Sequence, residues 1–119
     1  MKGINLDETW RLCLQMWKWI VKEWKKRIRE DYTDLDSNFL VEELKEEWLA
    51  KHKFGYIRNT CFFCKYAGIN CSECPARKID KRFDCMKCEY NFGYKPVEFL
   101  KKITRLNKIR LAKRKTKKG

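Results

Sequence analysis

The sequence predicts a mostly α-helical protein carrying a small zinc-binding module with little β structure. Three observations carry that expectation. Apolar residues return every three or four positions in two N-terminal stretches. Six of the seven cysteines fall between Cys61 and Cys88 as three Cys-x-x-Cys pairs. A proline then opens a third helical stretch crowded with lysine and arginine. The organisation expected is an αα-hairpin over 1–54, a Cys-rich zinc module over 55–95, and a basic helix and tail over 96–119.

The first helix is expected from about Asp7 to Glu30. Leu6, Trp10, Cys13/Leu14, Trp17, Ile20/Val21, Trp24 and Ile28 make its apolar seam, with Cys13 as a small core residue. Lys18, Lys22, Lys25, Lys26 and Arg29 lie mostly off that seam. Packing against the rest of the protein is the simplest use of such a stripe. A tryptophan and lysine helix also suits a partner or a membrane surface. Trp19, off the seam, is the candidate for an exposed contact.

Asp31–Ser37 reads as a break rich in turn and N-cap residues. A second helix follows from about Asn38 to His52, with Leu40, Val41, Leu44, Trp48 and Leu49 as its stripe. Its glutamates crowd the start and Lys51, His52 and Lys53 the end, as the helix dipole favours, and Gly55 is a natural stop. An acidic helix after a basic one suggests an antiparallel pair. Tyr56–Thr60 reads as a short strand.

The pattern Cys61-x2-Cys64-x6-Cys71-x2-Cys74-x10-Cys85-x2-Cys88 points to metal, because each Cys-x-x-Cys turn converges two thiolates on one ion. Tetrahedral zinc is expected, and three partitions stay open. The outer pairs are 20 residues apart and suit one four-cysteine site. The first two pairs would make a tighter one. All six could hold two ions through bridging thiolates. A fungal binuclear pattern begins with the same spacing but continues differently. Iron–sulfur binding would want a Cys-x2-Cys-x2-Cys run that this sequence lacks. His52 is the lone histidine and reads as a helix-end residue before a ligand. A closed thiolate site is structural, which makes the module a frame that pins the N-terminal hairpin to the C-terminal helix. Few aliphatic residues lie within it, so a large common core is not expected.

Arg77–Arg82 reads as a basic loop beside the second pair. Pro96 begins a third helix, to about Lys113, with Val97, Leu100, Ile103 and Leu106 or Asn107 as its apolar face. Lys113–Gly119 reads as a basic tail.

Net charge is +13 and unevenly spread. Asp31–Ala50 holds seven acidic residues and one basic; Pro96–Gly119 holds ten basic and one acidic. Such a field draws polyanions. The expected binding residues are Arg77, Lys78, Lys81, Arg82, Lys101, Lys102, Arg105, Lys108, Arg110, Lys113 and Arg114. No nucleotide-binding, hydrolase, metalloprotease or deaminase signature occurs, so a non-enzymatic binder is expected. No run of about 18 apolar residues occurs, and no signal-peptide pattern opens the chain. Paired cysteines without a signal peptide suggest a reducing, cytoplasmic compartment.

The run Cys61-Phe-Phe-Cys64-Lys-Tyr66-Ala67 and then Cys71-Ser-Glu-Cys74-Pro75 resembles small cysteine-rich proteins of phages and prophages, most of which have no assigned function. The resemblance covers about 15 residues; Cys85/Cys88 and the basic C-terminal helix depart from it. It implies a phage or mobile-element origin, hence the host cytoplasm. By analogy it suggests an alternative target: a host nucleoprotein defence complex, inhibited in the manner of an anti-CRISPR protein.

Overall fold

The computed structural model describes residues 5–53, 62–63, 74–84 and 89–118, with side chains as far as Lys113. Helices account for most of them and no strand occurs among them. The expected strand at Tyr56–Thr60 lies outside the described residues.

Helix α1 spans Leu6–Arg27. Asn5 caps it: the Asn5 side chain accepts from the Glu8 amide at 2.7 Å, and Asp7 and Glu8 complement the dipole of the first turn. The buried face runs Thr9/Trp10, Leu12/Cys13, Met16/Trp17 and Ile20/Val21. Cys13 is fully buried, as expected. The stripe is shifted from the expected seam: Leu6 is exposed, while Leu12 and Met16 face the core. The buried Thr9 hydroxyl donates to the Asn5 carbonyl at 2.8 Å, which satisfies it within the helix.

Helix α2 spans Asp34–Lys51, starting four residues before the expected Asn38. The reason is a capping box. Thr33 Oγ1 accepts from the Asp36 amide at 3.1 Å, and Asp36 Oδ2 accepts from the Thr33 amide at 3.0 Å. Asp36 takes the place usually held by Glu or Gln, so a stretch read as a break is the first turn. The helix ends before Gly55: Lys53 adopts the left-handed conformation at φ 60°.

Helices α1 and α2, expected as an antiparallel pair, are held together by three side-chain contacts. Trp24 Nε1 donates to Ser37 Oγ at 3.1 Å, Arg27 pairs with Glu47 at 2.9 Å, and the Lys51 amine lies 5.1 Å over the Trp19 ring. These partners span eight residues of α1, about 12 Å, but fourteen of α2, about 21 Å. Trp19 is therefore half-buried under α2 instead of presented to solvent.

Helix α3 is a short turn, Pro75–Ile79, with proline at its start. The expected basic loop is thus half helical. Helix α4 spans Pro96–Lys118, five residues beyond the expected end. It runs antiparallel to α1: Phe99 meets Trp17 with ring centres 4.9 Å apart, and Arg110 reaches Asp7 at 2.7 Å. Its buried positions include Phe99, Ile103, Leu106 and Arg110; Ile103 and Leu106 belong to the expected face, whereas the expected Val97 and Leu100 are half-buried and Phe99 and Arg110 take the inner places. No helix among the described residues is long and apolar enough to cross a membrane.

A single hydrophobic cluster joins these parts. Trp10 packs edge-on to Phe63 at 4.6 Å, Trp48 meets Phe62 at 5.9 Å, and Trp17 meets Phe92 at 6.1 Å. Phe83 stacks on Tyr90 and touches Phe99. The Cys-rich segment thus contributes to a common core through aromatic rings, where its lack of aliphatic residues had predicted little. Aromatic rings bury about 150–250 Å² each, so a few suffice. The α1–α4 contact is direct, through Trp17 and Phe99 and through Asp7 and Arg110.

Candidate nucleic-acid interface

The exposed face of α4 is set by its own buried face. With Phe99, Ile103 and Leu106 turned inward, Lys101, Arg105 and Lys108 turn outward at i, i+4 and i+7. They form a stripe about 10 Å long. Lys113 is exposed five residues further on, off the line of the stripe. The Arg114 backbone belongs to the helix; its side chain lies outside the described ones.

Two of the expected basic residues are engaged inside the molecule. Arg110 is 8% exposed. Its guanidinium donates to Asp7 at 2.7 Å and to Asn107 at 2.9 and 3.2 Å, and it sits 5.2 Å over the Trp10 ring. A planar five-donor group suits such a junction better than an ammonium would. Lys102 is half-buried, 2.8 Å from Asp80 Oδ2 and 5.3 Å over Tyr90. It ties α4 to the end of α3. Among the described residues, these are the ion pairs α4 makes, and they leave Lys101, Arg105, Lys108 and Lys113 exposed.

The second basic cluster is less uniform. Lys78, Lys81 and Arg82 are exposed, while Arg77 is half-buried and donates weakly to the Lys81 carbonyl at 3.4 Å. Asp80 accepts from the Arg82 amide at 3.0 Å and holds the turn closed.

Sequence reasoning missed α1 as part of the basic surface. A groove of about 260 Å³ runs between α1 and α4, lined by Asp7, Trp10, Arg11, Leu14, Gln15, Lys18, Asn107 and Arg110. Arg11 and Lys18 are exposed on its rim. Their i, i+7 spacing was visible; that this edge would lie along α4 was not.

Of the six expected metal ligands, Cys74 lies within the described residues, half-buried as the residue preceding α3. Cys61, Cys64, Cys71, Cys85 and Cys88 lie outside them. Among the described residues, no three or more His, Cys, Asp or Glu side chains gather where a metal could be held. His52 serves the end of α2: its ring stacks on Trp48 at 3.9 Å, and Nδ1 lies 2.9 Å from the Trp48 carbonyl.

The acidic charge collects elsewhere. Glu43 and Glu46 are exposed on α2, and Glu47 pairs with Arg27, which also contacts Glu23 at 3.3 Å. Burial pushes the Glu23 carboxyl up, but Lys26 and Arg27 together outweigh it and hold its pKa below the ordinary 4.5. The hydrogen bond to Glu47 raises that of Arg27.

Comparison of the chain with protein-family models, with curated proteins and with solved structures found no match.

Proposed function

We propose that this protein is a zinc-stabilised, non-enzymatic binder of nucleic acid, and that the outer face of α4 is its contact surface. The observation that supports this reading is the sorting of cations on α4. Lys102 and Arg110 are consumed by internal contacts, whereas Lys101, Arg105 and Lys108 stand in an exposed row with Lys113 beyond. Lysine and arginine held in a row neutralise successive phosphates and release counterions, with no sequence preference of their own. Arg11 and Lys18 add exposed positive charge on the rim of the groove between α1 and α4.

Zinc enters as a structural cofactor held by thiolates drawn from Cys61, Cys64, Cys71, Cys74, Cys85 and Cys88. When bound, it would cross-link a segment whose own packing is supplied by a few aromatic rings. A reducing cytoplasm, including that of a phage-infected host, keeps such thiolates available.

Filter binding to duplex DNA and to RNA across a salt series tests the reading. Four phosphate contacts predict a slope of log K against log salt of about −3 to −4 for DNA. Lys101→Ala/Arg105→Ala/Lys108→Ala should weaken binding on all sequences and flatten the slope by about 3, while Lys102→Ala leaves it nearly unchanged. No binding at low salt would overturn the proposal. Recovery from host extract of a protein complex that survives nuclease treatment would favour the anti-CRISPR-type inhibitor instead.

A further inference from the structure

Among the described residues, an exposed apolar pair on α2 and a single exposed leucine on α4 lie at opposite ends of α1, in settings of opposite charge. On α2, Leu35 and Phe39 are 56% and 62% exposed at i, i+4. That face continues along the helix into Glu42, Glu43 and Glu46. On α4, Leu111 is 40% exposed between Lys108 and Lys113. The adjoining Leu35 and Phe39 form a patch of the kind that marks an interaction surface, and Leu111 offers one apolar contact within a basic helix end.

These surfaces cannot meet within one chain. The Trp24–Ser37 hydrogen bond fixes the start of α2 at the C-terminal end of α1. The Asp7–Arg110 pair fixes the end of α4 at its N-terminal end. Along α1 those two anchors are about 26 Å apart. We infer that the surfaces meet between copies: the Lys108/Leu111/Lys113 end of α4 from one molecule docks on the Leu35/Phe39 face of α2 in the next.

Charge selects this pairing over its alternatives. An α2-to-α2 contact would bring Glu43 and Glu46 against their own copies, and an α4-to-α4 contact would do the same with lysines. The α2-to-α4 contact sets acid against base and leucine against phenylalanine. Because the two patches differ, the contact is heterologous, and it propagates into a chain of copies unless the rotation closes a ring. The inference does not depend on nucleic-acid binding and is measured without it.

The test uses two variants of the full chain, Phe39→Lys and Leu111→Glu, at side chains that are already exposed. Sedimentation velocity of the unsubstituted protein should show species larger than a dimer that grow with concentration and shrink with added salt. Each variant alone should sediment as a monomer, and an equal mixture should give a one-to-one dimer and nothing larger, because each variant keeps one intact surface. Glu43→Gln/Glu46→Gln, a milder change, should raise the association midpoint severalfold. Three results each overturn the inference: a monomer up to millimolar concentration, association by either single variant as strong as the original, or a mixture that stays monomeric. Association lost with Phe39→Lys but kept with Leu111→Glu would assign an α2-to-α2 dimer in its place.

Discussion

Ser37 joins three segments through one hydroxyl. Its Oγ accepts from Trp24 Nε1 at 3.1 Å and donates to the Gly93 carbonyl at 2.9 Å, and the residue is 4% exposed. Ser37→Ala removes both bonds and leaves a carbonyl and an indole N–H to be desolvated without a partner. The expected cost is about 1–3 kcal/mol in urea denaturation. Gly93 belongs to the same joint: a Cβ there would collide with the Asn38 side chain, while Asn91 Oδ1 holds the turn by accepting from the Gly93 and Tyr94 amides. Arg110 makes the parallel case for a cation. Arg110→Ala should lower stability by about 1–2 kcal/mol, through lost contact with Trp10 and the ion pair to Asp7. It should leave the salt slope of nucleic-acid binding unchanged. Thermal melts and the binding series together separate this buried residue from the exposed lysines around it.

Between helices α1 and α2, Arg27 bridges Glu23 and Glu47. A carboxylate whose pKa is depressed on folding contributes stability above its unfolded value and loses it as pH falls through the folded value. Glu23 is of that kind, so the clasp should hold at neutral pH and weaken below about pH 4.5. Glu23→Gln should flatten the acid limb of stability against pH, by a small amount because the group is solvated. The start of α2 was legible in Thr33 and Asp36 once aspartate is admitted to the capping box; the helix rule in its Glu/Gln form hid it. The face of α4 was less legible. Ile103 and Leu106 fit two stripes, one continued by Val97 and Leu100 and the other by Phe99. Trp17 and Phe92 decide between them, since Phe99 completes an aromatic cluster that Val97 could not. The α1 stripe was read nearly correctly because many apolar residues over-determine its phase. The sequence distance between Asp7 and Arg110 concealed their pairing, and with it the withdrawal of one cation from the candidate interface.

At the scale of the whole molecule, the Cys-rich segment and the helices share one core, and the place where they meet makes the zinc proposal measurable. Phe62 and Phe63 are the two residues between Cys61 and Cys64. Both are buried, Phe62 against Trp48 and Phe63 against Trp10. A metal held by that Cys-x-x-Cys pair would therefore hold the two rings in the core at the same time. Trp10 and Trp48 are themselves 1% and 3% exposed. Helices α1 and α4 pack directly through Trp17 and Phe99, so losing the metal should not separate them. The expected outcome of zinc chelation is a partial change: tryptophan emission shifts to the red as Phe62 and Phe63 withdraw from Trp48 and Trp10, while far-UV helical signal is largely kept. Cys61→Ser/Cys64→Ser should reproduce the shift in the absence of chelator, and Phe62→Ala/Phe63→Ala should reproduce it with metal content unchanged. A protein purified without zinc whose emission matches that of the zinc-loaded form would show that the rings are held by packing alone.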